Sequence, residues 1–191
     1  MKILSTAHPR SGTGYMSEFY KRLGFDIPHE VKIGKDGISS WKHIARSDLK
    51  WDFIIHHVRS PLDTIISSWG LLPSSINWFM KHLNRPDLTK LDRISRASVT
   101  WLLWNELIES KEPIYTFRIE DIEKPDVFNT ICRLLGIEPP KNFKFPPTNV
   151  NTRKHRREKK GIHNISWRDL SNLDMNIYRK VKAMSERYGY G

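Results

Sequence analysis

Hydrophobic residues along the chain form two kinds of pattern: short apolar runs typical of buried strands, and stripes at three- to four-residue spacing typical of amphipathic helices. The strand-like runs cover 3–6, 25–27, 51–58 and 114–117. The helical stripes lie within 16–23, 62–69, 94–110, 127–135 and 173–188. Strands that alternate with helices in this way predict an α/β fold, with a central parallel sheet flanked by helices on both faces.

Two stretches interrupt the alternation. Residues 71–96 contain Pro73, Pro86 and several charges, which indicates an irregular or partly helical insertion that could serve as a substrate lid. Residues 138–160 form a connector rich in proline and basic residues. With 191 residues and 38% hydrophobic content, the sequence fits a single domain over 1–191.

The composition narrows the class of protein further. No apolar leader and no apolar run of about eighteen residues is found, and the one cysteine, Cys132, lies in a helical stripe where it would pack in the core. We therefore expect a cytoplasmic protein without a membrane span. The spacing of the eight histidines and Cys132 does not indicate a metal site.

A formal net charge of +11 favours an anionic partner. Within 153–160 six positive charges stand against one negative charge, a run as typical of a solvated surface as of an anion-binding one. The seven tryptophans are scattered or lie in helical patterns instead of alternating with basic residues. This arrangement makes nucleic acid a less favoured partner than other anions.

The first strand run leads into His8-Pro9-Arg10-Ser11-Gly12-Thr13-Gly14-Tyr15, directly before a helical stripe. A strand that breaks at Pro9, turns through two glycines and begins a helix directs several backbone N–H groups toward one point, with the positive end of the helix dipole behind them. The pattern predicts an anion cradle. An ordinary ATPase would place a Walker lysine at the end of this loop, whereas here the cation, Arg10, precedes the turn.

Two separated motifs resemble those of the PAPS-dependent sulfotransferases, which use 3′-phosphoadenosine 5′-phosphosulfate (PAPS) and release the bisphosphate PAP. The loop 9–15 is similar to the family's P-K-S-G-T-T-W loop for the 5′-phosphosulfate. Arg59 and Ser67, eight positions apart, match its R-x-P-x(5)-S element for the 3′-phosphate. The resemblance implies a P-loop-like α/β domain with PAPS as its cofactor.

Later parts of the chain also resemble the family. Residues 118–122 match its R-x-E-D-[LI] element, and Leu135-Gly136 matches a following leucine-glycine pair. Short, soluble members share the pairs His29-Glu30, Asp36-Gly37 and Ser40-Trp41. The chain departs from the family pattern at three places. Arg10 stands where the family has lysine, Gly14-Tyr15 where it has Thr-Trp, and Ile119 where many cytosolic members have tyrosine.

The resemblance implies a cofactor-binding role for each matching residue. Arg10, the amides from Ser11 to Gly14 and two loop hydroxyls would hold the 5′-phosphate, and Arg10 would bear the charge that grows on the departing oxygen. Tyr15 would stack on adenine or pack in the core. The segment 151–154, or Gly161, would replace the family's R-K-G element. The residues assigned to the cofactor are Arg10, Ser11, Gly12, Thr13, Gly14, Tyr15, Arg59, Ser67 and Arg153.

Transfer of a sulfuryl group to a hydroxyl or amine needs a base for the acceptor's proton. The loop that follows the predicted strand 25–27 should open beside the cradle, and it carries both His29 and Glu30. Glu30 is the favoured base, His29 is the alternative, and the other residue of the pair would orient the base. His56 and His57 occupy successive strand positions, so they should point to opposite faces and lie in the interior.

Two other functions fit parts of the sequence. A kinase-like P-loop phosphotransferase would share the strand-loop-helix but should supply a Walker lysine and acidic magnesium ligands. A non-enzymatic nucleic-acid-binding protein would account for the charge of +11. The leading hypothesis is the sulfotransferase.

Overall fold

The computed structural model describes residues 1–147 and 164–191, and these pack as two compact units. We call them the strand unit, formed by 1–7, 11–59 and 113–147, and the helix unit, formed by 8–10, 60–112 and 164–191. The single domain over 1–191 stays a prediction.

The strand unit is built on a four-stranded sheet in which every pairing is parallel. Its strands are β1 (Ile3–Thr6), β2 (Gly37–Ser39), β3 (Phe53–Val58) and β4 (Tyr115–Arg118), in the order β2-β1-β3-β4. The α/β class and the parallel sheet predicted from the sequence are thus confirmed. The carboxyl ends of parallel strands meet at one edge, which is where ligands bind in such sheets.

The second strand is not the one that the sequence predicted. Residues 25–27 form no strand, because their polar backbone groups bond to the following turn: the Asp26 N–H donates to the Asp36 carboxylate at 2.8 Å, and the Asp26 carbonyl accepts the Asp36 N–H at 3.2 Å. The strand is Gly37–Ser39 instead. At Gly37 a Cβ would lie 2.0 Å from the Ile3 carbonyl oxygen, so this pairing requires glycine, a residue that rarely marks a strand.

Two helices of the strand unit, α1 (Thr13–Arg22) and α5 (Pro125–Leu134), pack with the sheet in one hydrophobic core. Gly24 and Gly136 follow these helices with φ of +89° and +72°, which confirms both predicted helix stops. A helical cover on both faces stays a prediction. Core residues include Ile3, Ile55 and Phe117 from the sheet, Met16 and Phe19 from α1, and Ile131 and Cys132 from α5.

The helix unit contains α2 (Pro61–Ser68), α3 (Pro73–His82), α4 (Arg93–Glu109), α6 (Trp167–Leu170) and α7 (Met175–Arg187). Its core is made by side chains of four of them: Ile65 from α2, Trp101 and Leu102 from α4, Leu170 from α6, and Val181 and Met184 from α7. In the described part of the chain no helix is long and apolar enough to cross a membrane.

The stretch 71–96 is partly helical, as the sequence predicted. Pro73 does not interrupt a helix but begins α3, because the first helical position needs no N–H donor. Phe79 of α3 is fully buried, where its ring meets Trp104 edge-on at 4.8 Å and stacks on His8 at 5.6 Å. The role of this stretch as a lid stays a prediction.

Candidate functional site

The loop between β1 and α1 has the geometry of an anion cradle. Gly12 caps α1 with φ of +102° and offers no side chain to bond the first amides of the helix. The first turn of α1 carries no acidic residue that would neutralise the positive end of its dipole. No side chain of the first turn therefore balances the positive end of the helix dipole, which favours a bound anion there.

The turn does not pass through two glycines as the sequence predicted. Gly14 lies inside α1, and the residues with left-handed backbone are Gly12 and Arg10, the latter at φ +74°. A non-glycine residue in this conformation costs roughly 1–3 kcal/mol and is most often found at functional sites. Arg10, which lies four residues after the end of β1, is thus held in a strained conformation.

Ile119, the residue directly after β4, lies against the cradle. A Cβ on Gly12 would lie 3.0 Å from Ile119 Cγ1, so this turn and the residue after β4 are in close contact. The adjacent Arg118 forms a forked ion pair with Asp121, Nε to Oδ2 at 2.7 Å and Nη2 to Oδ1 at 3.0 Å. The R-x-E-D element therefore folds into a clamped turn that places Ile119 behind Gly12.

A chain of polar contacts runs from the cradle to the predicted base. Thr13, the first residue of α1, shares a hydrogen bond between its Oγ1 and His29 Nε2 at 3.0 Å. The same nitrogen lies 3.6 Å from Glu30 Oε1. The Ser39 hydroxyl donates to the Thr13 carbonyl at 2.7 Å and fixes the end of β2 to the start of α1. The expectation that the His29-Glu30 loop opens at the edge of the cradle is confirmed.

Burial alters the ionisation of both residues of the pair. The His29 side chain is 41% exposed and its pKa is lowered by burial, so the imidazole is neutral at pH 7 and its contact with Glu30 is not an ion pair. The Glu30 side chain is 20% exposed, and burial raises its pKa against the effects of the Trp41 amide, Lys42 and Ser40. A carboxylate with a raised pKa is a better proton acceptor.

Glu30 is also held in a left-handed backbone conformation, with φ of +64°. Its Oε1 accepts the Trp41 N–H at 3.4 Å. The Ser40 Oγ lies 2.8 Å from His43 Nδ1. The sequence pattern indicates only the Ser40-Trp41 pair, and it misses His43 because no motif marks that residue.

Tyr15 packs against the hydrophobic core of the strand unit. Its hydroxyl is buried without a hydrogen-bond partner in the described chain, and burial raises its pKa to about 12. This environment fits the core-packing alternative, while stacking on adenine stays a prediction.

The remaining cofactor candidates lie in different parts of the protein. In the helix unit, Arg10 Nε donates to Ser67 Oγ of α2 at 3.3 Å, so the cation before the cradle and the serine of the second motif are in contact. Arg59 follows β3 and is half-buried. Arg153 and Gly161 lie outside the described residues, as does most of the connector 138–160.

Among the described residues, three histidines are fully buried. His56 and His57 of β3 are fully buried, which confirms their predicted interior position. His8 is also fully buried, with Nδ1 2.8 Å from the Pro9 carbonyl oxygen. Burial lowers the pKa values of His8 and His57 to about 3, so both rings are neutral at pH 7.

Within 1–147 and 164–191, no three His, Cys, Asp or Glu side chains are grouped so that they could hold a metal ion. Comparisons of the chain with protein-family models, with curated proteins and with solved structures find no match.

Proposed function

We propose that the protein is a PAPS-dependent sulfotransferase with a P-loop-like domain, which moves a sulfuryl group from PAPS to a hydroxyl or amine. The observation that carries the proposal is the connection of an open helix start to a base: Thr13 contacts His29, which contacts Glu30. Transfer in line needs the anion site and the base on opposite sides of the group that moves, within reach of one substrate. A base beside the cradle supports that arrangement.

The residues of the cradle fit a phosphate. The start of α1 supplies amides and a dipole without a capping side chain, and Arg10 supplies a permanent cation directly before it. Bound PAPS would supply the sulfuryl group, with its 5′-phosphate as the leaving group. Arg10 and the amides of α1 would then stabilise the charge that this phosphate gains as the bond to sulfur breaks.

Glu30 is proposed as the general base. Its carboxylate takes the proton of the acceptor while the acceptor oxygen or nitrogen bonds to sulfur, and the raised pKa of Glu30 favours this step. The neutral His29 orients the site by bonding to Thr13, although it is itself close enough to act as the base. The two roles are separated by substituting each residue.

The second motif would distinguish PAPS from ATP, because only PAPS carries a 3′-phosphate. Arg59 and Ser67 are proposed to hold that group, as the resemblance implies. The contact of Arg10 with Ser67 supports the proposal, since it joins residues assigned to the two phosphate groups.

The experiment is an acceptor screen with ³⁵S-labelled PAPS. Purified protein is incubated with pools of sugars, phenols, alcohols and amines, and both labelled product and released PAP are measured. Labelled product from the native protein, lost in Glu30→Gln and kept in His29→Gln, supports Glu30 as base. Release of PAP that is equal in the native protein and in both variants would overturn the proposed site. Phosphoryl transfer from ATP in the same pools would favour the kinase-like alternative.

A further inference from the structure

The His8 side chain contacts the backbone of the loop that carries Arg10. The residue is 0% exposed and comes two positions after the end of β1. Its Nδ1 lies 2.8 Å from the carbonyl oxygen of Pro9, and this carbonyl belongs to the peptide bond that joins Pro9 to Arg10. The imidazole is therefore in contact with the peptide group that directly precedes the strained residue.

A count of protons assigns the tautomer of this histidine. Burial lowers the pKa of His8 to about 3, so the ring is neutral at pH 7 and carries one proton. A carbonyl oxygen can only accept a hydrogen bond, so the proton lies on Nδ1 and the bond runs from Nδ1–H to Pro9. Nε2 then has only a lone pair, and within the described chain it is buried without a hydrogen-bond partner.

Aromatic packing in the helix unit limits the rotation of the imidazole. The His8 ring stacks on Phe79 of α3, with the ring centroids 5.6 Å apart and an angle of 12° between the planes. Phe79 is itself fully buried and meets Trp104 of α4 edge-on at 4.8 Å. A ring packed in this way has little freedom to turn, so its Nδ1–H stays directed at one carbonyl.

The backbone of Arg10 depends on the peptide plane that the histidine contacts. The φ of +74° is the rotation of Arg10 relative to the Pro9–Arg10 peptide plane, and residues other than glycine rarely adopt it. Such a conformation persists only where the surrounding structure determines it. At the other end of the residue, Arg10 Nε donates to Ser67 Oγ at 3.3 Å. The hydrogen bond from His8 supplies a constraint at the backbone end.

We propose that His8 is a positioning residue for Arg10: its Nδ1–H donates to the Pro9 carbonyl, fixes the Pro9–Arg10 peptide plane, and so keeps Arg10 in the left-handed conformation that places its guanidinium beside Ser67. The consequence for nucleotide binding rests on the proposed function, in which Arg10 holds the 5′-phosphate. The effect of His8 on the Arg10 backbone does not depend on that function.

Packing alone does not account for a histidine at this position. Phenylalanine could form the same stack with Phe79 and would bury no unpaired nitrogen, whereas His8 buries Nε2 without a partner in the described chain. An unpaired polar atom in the interior is destabilising. A ring with a packing role only would therefore be at least as stable as phenylalanine, and the use of imidazole is explained by its Nδ1–H donor.

The first test is NMR of the full chain without a ligand. Imidazole ¹⁵N shifts report the tautomer of His8. A strong intraresidue NOE between the amide proton and the Hα of Arg10 reports its positive φ. We expect the Nδ1–H tautomer and the strong NOE in the native protein. An Nε2–H tautomer in the native protein, a result that involves no variant, would overturn the proposal.

The second test separates the donor from the ring. His8→Phe keeps an aromatic ring and removes the donor, whereas His8→Asn has an amide N–H close to the position of Nδ1. The matched control is His57→Phe, because His57 is equally buried and neither of its ring nitrogens has a hydrogen-bond partner in the described chain. The Arg10 NOE should weaken in His8→Phe and stay strong in His8→Asn and His57→Phe. The same NOE in His8→Phe as in the native protein would contradict the positioning role.

Nucleotide binding separates this proposal from the proposed function. In calorimetric titrations, His8→Phe should bind PAP roughly tenfold more weakly than the native protein, as expected for loss of one hydrogen bond. In an Arg10→Gly background no side chain is left to position, and glycine adopts positive φ without strain, so His8→Phe should have no further effect. An equal loss in both backgrounds would overturn the positioning role. If the NMR results are as expected but the native protein does not bind PAP, the proposed function fails and the role of His8 stands.

Discussion

Substitution of Gly12 by alanine should disturb the cradle by an amount that can be worked out from its geometry. The left-handed conformation at φ +102° costs an L-residue roughly 1–2 kcal/mol. The new Cβ would lie 3.0 Å from Ile119 Cγ1, and moving that side chain off its rotamer costs roughly 0.5–1.5 kcal/mol. Alanine also lowers the conformational entropy of the unfolded chain, which stabilises the folded state by about 0.4–1 kcal/mol. The expected loss in the free energy of unfolding is about 2 kcal/mol.

The matched control is Gly24→Ala. Gly24 also has positive φ, at +89°, but a Cβ there would meet nothing within 4 Å, so this variant has the conformational cost without the contact. Ile119→Ala removes Cγ1 and leaves its Cβ 3.9 Å from the new methyl group, an ordinary contact. The double variant Gly12→Ala/Ile119→Ala should therefore recover roughly 0.5–1.5 kcal/mol relative to additivity, and Gly24→Ala/Ile119→Ala should recover nothing.

Urea denaturation followed by tryptophan fluorescence measures these free energies, and calorimetric titration with PAP measures the effect on the cradle. Affinity for PAP should fall in Gly12→Ala and stay the same in Gly24→Ala. A Gly12→Ala variant as stable as the native protein, or additive effects of Gly12 and Ile119, would refute the inferred contact between turn and side chain.

Two further predictions concern ionisable groups. Glu30→Gln should bind PAPS nearly as tightly as the native protein but transfer sulfuryl groups about 10²–10⁴-fold more slowly, as expected for loss of a general base, and single-turnover assays with labelled PAPS check both numbers. His8 and His57, whose pKa values burial lowers from 6.5 to about 3, stay neutral in the folded protein while they are protonated in the unfolded chain. The free energy of unfolding should therefore fall by up to about 1.4 kcal/mol per pH unit for each histidine as the pH falls from 6.5 to about 3. Denaturation at a series of pH values measures how the free energy of unfolding changes with pH. The same pH dependence in His57→Phe as in the native protein would contradict the contribution assigned to His57.

The elements with strong periodicity could be predicted from the sequence. The apolar run at 51–58 became β3, and the stripe at 94–110 became α4, because burial of a continuous apolar face determines each of them. The strand Gly37–Ser39 could not be predicted, since it depends on the close approach of Gly37 to Ile3, far away along the chain. Pairing over such a distance leaves no local pattern in three residues.

The candidate site was predictable only in part. The pattern around Gly12 indicated an anion cradle and placed Glu30 beside it, because the topology of a parallel sheet brings its loops to one edge. The left-handed conformations of Arg10 and Glu30 could not be foreseen, since neither residue type favours them. The contact of His43 with Ser40 likewise depends on a short turn after β2 that no motif in the sequence marks.

The proposed function depends above all on binding of a nucleotide with phosphates at both the 5′ and the 3′ position, and calorimetric titration of the native chain and of Arg59→Ala with PAP and with ATP decides this point. We expect PAP to bind the native protein at least tenfold more tightly than ATP, since the 3′-phosphate adds charge-assisted hydrogen bonds. We also expect Arg59→Ala to lose affinity for PAP and little for ATP. Equal affinity of the native protein for the two nucleotides, or equal losses in the variant, would be incompatible with a 3′-phosphate site at Arg59.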